Sequence, residues 1–386
     1  MKILYFSNSR IPTEKAHGVQ IIKMCEGFAL SGEANEQSVE VELILPTRKN
    51  QPFFGQDAYD YYQVRKNFKL VKIFSCDPVF LLKFISGLYI KVQLSFFICS
   101  LFLYLLFIKK DKETIFYTRD EYLLPLLQFF SNKVVWEAHN LPRNKRYYQK
   151  YWRRCFKIIA ISKGLEDELV TLGLSGSLIV VAPDAVDLKE FSRILDQADE
   201  VKKAYGLAFN KKIILYSGHL YEWKGARILA QAAQYLLDNC LVVFVGGTTE
   251  EVGKFRKEFS GSKNIIFLGH QPFSQIPRIL QAADVLVLPN SAKSKISSQY
   301  TSPLKLFEYM ATGRPIVASA LPSIKEILNQ DNSVLFEPDN AQALAEAIIK
   351  VLKDEAFSAR IAKQSWLDVQ GFSWTNRAKK IIATIS

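Results

Sequence analysis

The sequence predicts an α/β protein built from two doubly wound parallel-sheet domains. Short apolar runs alternate with longer helical patterns along the whole chain, which is the signature of βαβ units. A chain of 386 residues is long enough for two domains, each with its own core. The stretch 183–191, PDAVDLKEF, combines turn residues with a charged segment and divides the apolar runs into two sets.

In the first half the expected strands are 3–6, 41–45, 71–74, 115–117, 134–136, 158–161 and 179–181. In the second they are 213–216, 241–245, 265–268, 285–288, 316–318 and 333–336. The expected domains are 1–185 and 186–369, with a last helix in 370–386. Ligands of open α/β sheets bind beyond the carboxyl ends of the strands, so the loops that leave these strands should carry the chemistry.

Composition narrows the classes. A hydrophobic content of 49% argues against disorder. The five cysteines are odd in number and lack C-x-x-C spacing, which suggests a reducing compartment and no zinc site. The start, MKILYFSNSR, lacks the apolar run of a signal peptide, so a cytoplasmic protein is expected. The net charge of +12 calls for an anionic partner, and nucleic acid, anionic lipid and sugar nucleotides all qualify.

The most specific segment is 301–319, TSPLKLFEYMATGRPIVAS. Ser302-Pro303 reads as a helix entry and Leu304 to Ala311 as the helix. Gly313 stands where a left-handed residue usually ends one, and Pro315 to Ala318 reads as a buried strand. A helix start offers free N–H groups and positive dipole to phosphate oxygens. Ser302, Pro303 and Leu304 would form that seat, with Lys305 beside it. Glu308 is placed to accept hydrogen bonds from ribose hydroxyls.

This segment resembles the donor-site signature of the GT-B retaining glycosyltransferases of family four, in the variant S-P-L-K-L-F-E-Y-M-A-x-G-x-P. The resemblance covers the chain from Met1 to Ser386. It implies two Rossmann-like domains facing a cleft, with the C-terminal helix crossing back onto the first. It also implies a nucleoside diphosphate sugar as co-substrate, and no cofactor. Gly18, in the loop after the first strand, matches a glycine that meets the donor diphosphate or the acceptor. His139, in WEAHN, matches a histidine near the donor sugar and is the expected catalytic group. Gly218, His219 and Lys224 match a G-R-x(4-5)-K-G motif whose cations hold the diphosphate. Here His219 stands in place of arginine and lacks the guanidinium fork. The family's first glutamate would fall at Tyr300, so its contact with the donor sugar does not carry over. No D-x-D motif or acidic cluster has hard-metal spacing, so a metal-independent reaction is expected.

Two stretches point to a membrane. Residues 143–157, RNKRYYQKYWRRCFK, interleave cations with aromatics. Arg143, Arg146, Tyr148, Trp152 and Arg153 would form a face for anionic headgroups and the acceptor. The alternative is a domain helix with its aromatics packed inward. Residues 79–108 are strongly apolar, but the core of the stretch is short for a spanning helix. A buried helix is expected there, and one dipping into a single leaflet is the alternative.

The expected protein is a peripheral enzyme on the inner face of the cell membrane. It would transfer a sugar from a GDP- or UDP-linked donor to a polyprenyl-diphosphate-linked or cell-surface glycan, with no nucleic-acid partner. The alternatives are another GT-B enzyme, such as a sugar-nucleotide epimerase, or a basic nucleic-acid-binding module.

Overall fold

The computed structural model describes residues 1–33, 39–48, 53, 55–77, 86–109, 111–192 and 198–386. The part of the 79–108 stretch before Ser86 lies outside them. The chain forms two compact units. The first comprises Met1–Ile161, Leu165–Pro183 and Trp374–Ser386, and the second Ser162–Gly164 and Asp184–Ser373.

The first unit holds β1 (Lys2–Phe6), β2 (Glu40–Pro46), β3 (Lys69–Ile73), β4 (Thr114–Thr118), β5 (Val134–Ala138), β6 (Lys157–Ala160) and β7 (Ile179–Val181). They form one parallel sheet in the order β3-β2-β1-β4-β5-β6-β7. All five residues of β4 and of β5 are buried, as expected of central strands covered on both faces. The helix Trp374–Ile385 packs against Ala16–Glu33. Gly27 permits that approach, since a Cβ there would lie 2.9 Å from the Trp374 carbonyl oxygen.

The second unit holds β8 (Lys212–Ser217), β9 (Cys240–Val245), β10 (Ile265–Gly269), β11 (Val285–Leu288), β12 (Ile316–Ser319) and β13 (Val334–Phe336). Their order is β10-β9-β8-β11-β12-β13, again all parallel. Along β8, Ile213 and Leu215 enter one apolar cluster while Ile214 and Tyr216 enter another. The period of two thus feeds a core on each face of the sheet. Each expected strand is present. The strand order reverses beside β1 in the first sheet and beside β8 in the second, and such reversals mark where ligands bind.

Two expectations are corrected. The basic-aromatic stretch is a short helix, Lys145–Trp152, followed by β6 from Lys157. Trp152 is fully buried and stacks on Trp136 of β5, with ring centroids 5.2 Å apart and planes within 2°. Tyr148, half-buried, stacks on Trp152 in turn at 6.3 Å. Arg143, Arg146 and Arg153 are exposed. Trp152 serves the core while these three arginines are solvated, so Trp152 is no part of a membrane face.

The second correction concerns the helix Ser86–Phe107, expected to be buried. Gln93, Phe97, Leu101 and Leu105 do face the unit, and Gln93 and Asn8 exchange two amide hydrogen bonds of 2.9 Å. The opposite side is apolar and exposed, ending in Phe107 at 85% exposure.

Candidate functional site

In the second unit the loops leaving β8 and β11 meet at the reversal of strand order. Gly218 follows β8 with φ of +124°, a conformation that L side chains rarely adopt. The chain then makes a 3₁₀ turn, Glu222–Lys224, which Gly225 closes at φ of +70°. A Cβ on Gly225 would fall 1.7 Å from the Pro289 carbonyl oxygen, so only glycine fits. The Trp223 carbonyl accepts hydrogen bonds from Ser291 N–H at 3.0 Å and Ser297 Oγ at 3.1 Å. The turn that bears Lys224 is therefore pinned to the loop after β11.

The helix Leu304–Ala311 lies on the connection from β11 to β12. Its N-cap is Pro303, which has no N–H and no side-chain cap, so the donors of the helix start come from Leu304 onward. The Ser302 hydroxyl accepts from Asp184 N–H at 2.8 Å. Tyr309 ties the helix to the end of β8, its hydroxyl accepting from Ser217 N–H at 2.8 Å. Gly313 ends the helical segment at φ of +66°, as the sequence implied.

Three charges are gathered here with no ion pair among the described residues. Lys305 is buried, its Nζ 4.0 Å from the centre of the Tyr216 ring and without a hydrogen-bond partner. Lys224 lies over the rings of Trp223 and Tyr221 at 5.3 and 5.6 Å. Burial, then the charge of Lys224, holds Lys305 well below the usual lysine range. Burial also lowers Lys224, against the pull of Glu251 and Glu308. Burial and the Glu190 carboxylate push Glu308 up to about 7, against Lys305 and Lys224. Each shift moves its group toward neutrality, as expected for charges desolvated without a matched partner.

His219 pairs with Glu251 at 3.3 Å and stacks on Tyr221 at 4.9 Å. Glu251 also completes a capping box with Thr248. Asn290, just past β11, is fully buried with neither amide atom partnered. Sequence reasoning missed it, although Pro-Asn-Ser after an apolar strand was a readable signal. Tyr300 is buried in the π-helical turn Ile296–Tyr300, its hydroxyl unpartnered.

The first unit holds a different cluster. Glu137 near the end of β5 is fully buried and accepts from His139 Nε2 at 2.5 Å, Arg377 Nη1 at 3.2 Å and the Tyr117 hydroxyl. Arg377 also donates to the Pro183 carbonyl at 2.8 Å. Burial alone would raise Glu137, but Arg377, His139 and Tyr117 hold it well below the usual carboxylate range. Burial, then the charges of Arg119, Lys15 and His139, push His17 down to about 4. Arg377 was legible as a cation on the apolar face of Trp374, Ala378 and Ile381. Gly18 is buried, and a side chain there would meet the Tyr62 hydroxyl, which is anchored to Thr13 N–H and C=O. Packing alone accounts for that glycine.

Two parallel sheets of these orders, with the structural likenesses below, define the GT-B fold. A UDP-bound Anabaena protein, Alr3699/HepE, superposes with a TM-score of 0.72 at 17% identity, covering 100% of this chain and 99% of that one. Residues 197–366 match the family described as glycosyl transferases group 1. A Bacillus subtilis relative, a putative teichuronic acid biosynthesis glycosyltransferase, is 27% identical over 55% of this chain and 51% of its own length. An Escherichia coli relative is a UDP-Gal:alpha-D-GlcNAc-diphosphoundecaprenol alpha-1,3-galactosyltransferase, 27% identical over 53% of this chain and 52% of its own. The chain thus spans about half the length of the curated relatives it matches.

Proposed function

We propose that this protein is a retaining glycosyltransferase that takes its sugar from a UDP-linked donor. The observation that carries the reading is the unpaired set Lys224, Lys305 and Glu308 at the strand-order reversal of the second unit. A nucleoside diphosphate supplies what this set lacks. Its phosphate oxygens neutralise both lysines and meet the helix start at Leu304, and its ribose hydroxyls donate to Glu308. UDP is favoured over GDP because the Anabaena structure holds UDP and the Escherichia coli relative is named for UDP-Gal.

In the transfer, the bond from the anomeric carbon to the diphosphate oxygen breaks and one from the acceptor hydroxyl oxygen forms on the same face. The acceptor proton passes to the departing phosphate. Lys224 and Lys305 stabilise the charge growing there, in the place a metal ion takes elsewhere. The acceptor is a lipid-linked or cell-surface glycan, in keeping with the diphosphoundecaprenol and teichuronic acid named for the two relatives.

The test is UDP release from UDP-glucose, UDP-galactose and UDP-N-acetylglucosamine, with an envelope lipid extract as acceptor, with and without EDTA. Acceptor-dependent release from one donor, unchanged by EDTA and with the anomeric configuration kept, is expected. Interconversion of sugars without acceptor would make the protein an epimerase. Release that needs added magnesium would overturn the role given to the lysines.

A further inference from the structure

We infer that the outer face of the helix Ser86–Phe107, together with Phe129, is a docking surface for an anionic lipid bilayer. This goes beyond the donor site and does not depend on it. The helix is long and apolar enough to cross a membrane by length and composition. It does not cross one in this fold, because it connects β3 to β4, two strands of a single sheet. Its inner face is accounted for by Gln93, Phe97, Leu101 and Leu105. On successive turns of the outer face stand Phe96, Phe102, Leu103, Leu106 and Phe107, all exposed. The Phe102 ring meets Phe130 at 5.4 Å, and Phe130 meets Phe129, which is 75% exposed. The patch therefore continues onto a second helix, Leu124–Phe130. A contiguous apolar face of this kind marks an interaction site rather than ordinary surface.

Charge selects the occupant. The sequence from 78 to 110 has lysines at 83, 91, 109 and 110 and no acidic residue. Lys91 and Lys109, toward the two ends of the helix, are exposed. A second copy laid on this face, in either direction, would set lysine against lysine. An anionic leaflet would neutralise them while its acyl region takes up the phenylalanines and leucines. That is the arrangement of a helix lying in the plane of the interface.

The test is co-sedimentation with phosphatidylcholine vesicles, with and without phosphatidylglycerol. Binding is expected, stronger with phosphatidylglycerol. The double variant Leu103→Glu/Leu106→Glu should lose it at least tenfold, and Lys109→Glu should lose only the preference for phosphatidylglycerol. Both variants alter exposed side chains, and unchanged UDP titration would show that the second unit is intact. Cys99 is exposed on the same face, so an environment-sensitive thiol dye there should shift to the blue when vesicles are added. Failure of the wild-type protein to sediment, or equal binding by the double variant, would overturn the inference. So would a dimer in light scattering that Leu103→Glu dissociates, which would make the face an interface between copies. A missing response to UDP with intact vesicle binding would count against the donor reading alone.

Discussion

Glu137 and Glu308 are both carboxylates sheltered beside cations, one in each unit, yet their environments shift them in opposite directions. Glu137 is saturated by Arg377, His139 and Tyr117 and stays ionised well below the usual range. Glu308 has two lysines nearby and no hydrogen bond or ion pair among the described residues, and it rises to about 7. A satisfied buried charge braces a structure, while an unsatisfied one marks a place that something else completes. The same residue type thus separates framework from site. Glu137 holds His139 and ties the C-terminal helix to the first sheet, while Glu308 is the group proposed above to take up ribose hydroxyls.

The largest expected effect is on the framework side. Glu137→Ala should take the carboxylate away from the buried Arg377 guanidinium, at a cost of about 3–5 kcal/mol. Thermal unfolding of Glu137→Ala, Arg377→Met and the double variant would show it, with the double variant losing less than the sum. An additive double variant would mean that the two residues do not act together.

Next comes the pin beneath Lys224. Gly225→Ala adds a Cβ where the Pro289 carbonyl stands, at a positive φ. It should cost about 1–3 kcal/mol and weaken nucleotide binding as well. A stability loss with unchanged affinity would detach the turn from the site. Lys224→Met should weaken UDP binding by about tenfold, the loss of one charged hydrogen bond worth about 1.5 kcal/mol. The same variant should leave the unfolding temperature level or higher, because a desolvated cation is removed.

A further effect is a pH dependence of opposite sign for the two carboxylates. Glu137, depressed in the folded state, adds stability above its unfolded value of about 4.3, and that stability is lost as pH falls through the folded value. Glu308, raised to about 7, binds an extra proton in the folded state. Stability should therefore fall as pH rises from about 4.3 to about 7 and level off beyond. Glu308→Gln removes that fall, so its unfolding temperature should climb relative to the wild type across this window. A flat difference would place Glu308 at an ordinary value and erase the contrast.

Much of this was legible in the chain. The strands could be read because each is a short apolar run bounded by turn residues. The helix of Glu308 could be read because proline and Gly313 punctuate it. The Trp136–Trp152 stack could not, because it joins a strand to a helix across a loop and carries no local signal. Periodicity alone left Trp152 open to a membrane reading that its full burial decides. The helix Ser86–Phe107 posed the opposite problem, being apolar all round, so its sequence could not say which face lacked a partner. Arg377 and Glu137 lie far apart in sequence, and only the return of the last helix brings them together.

The most direct measurement is calorimetric titration of the wild-type protein and Glu308→Ala with UDP and with GDP. UDP should bind the wild type, and the variant should bind it at least tenfold more weakly, about 1.4 kcal/mol, with an unfolding temperature no lower than wild type. Equal affinity in the two proteins, or no binding of UDP by either, would contradict the assignment of Lys224, Lys305 and Glu308 as the nucleotide seat.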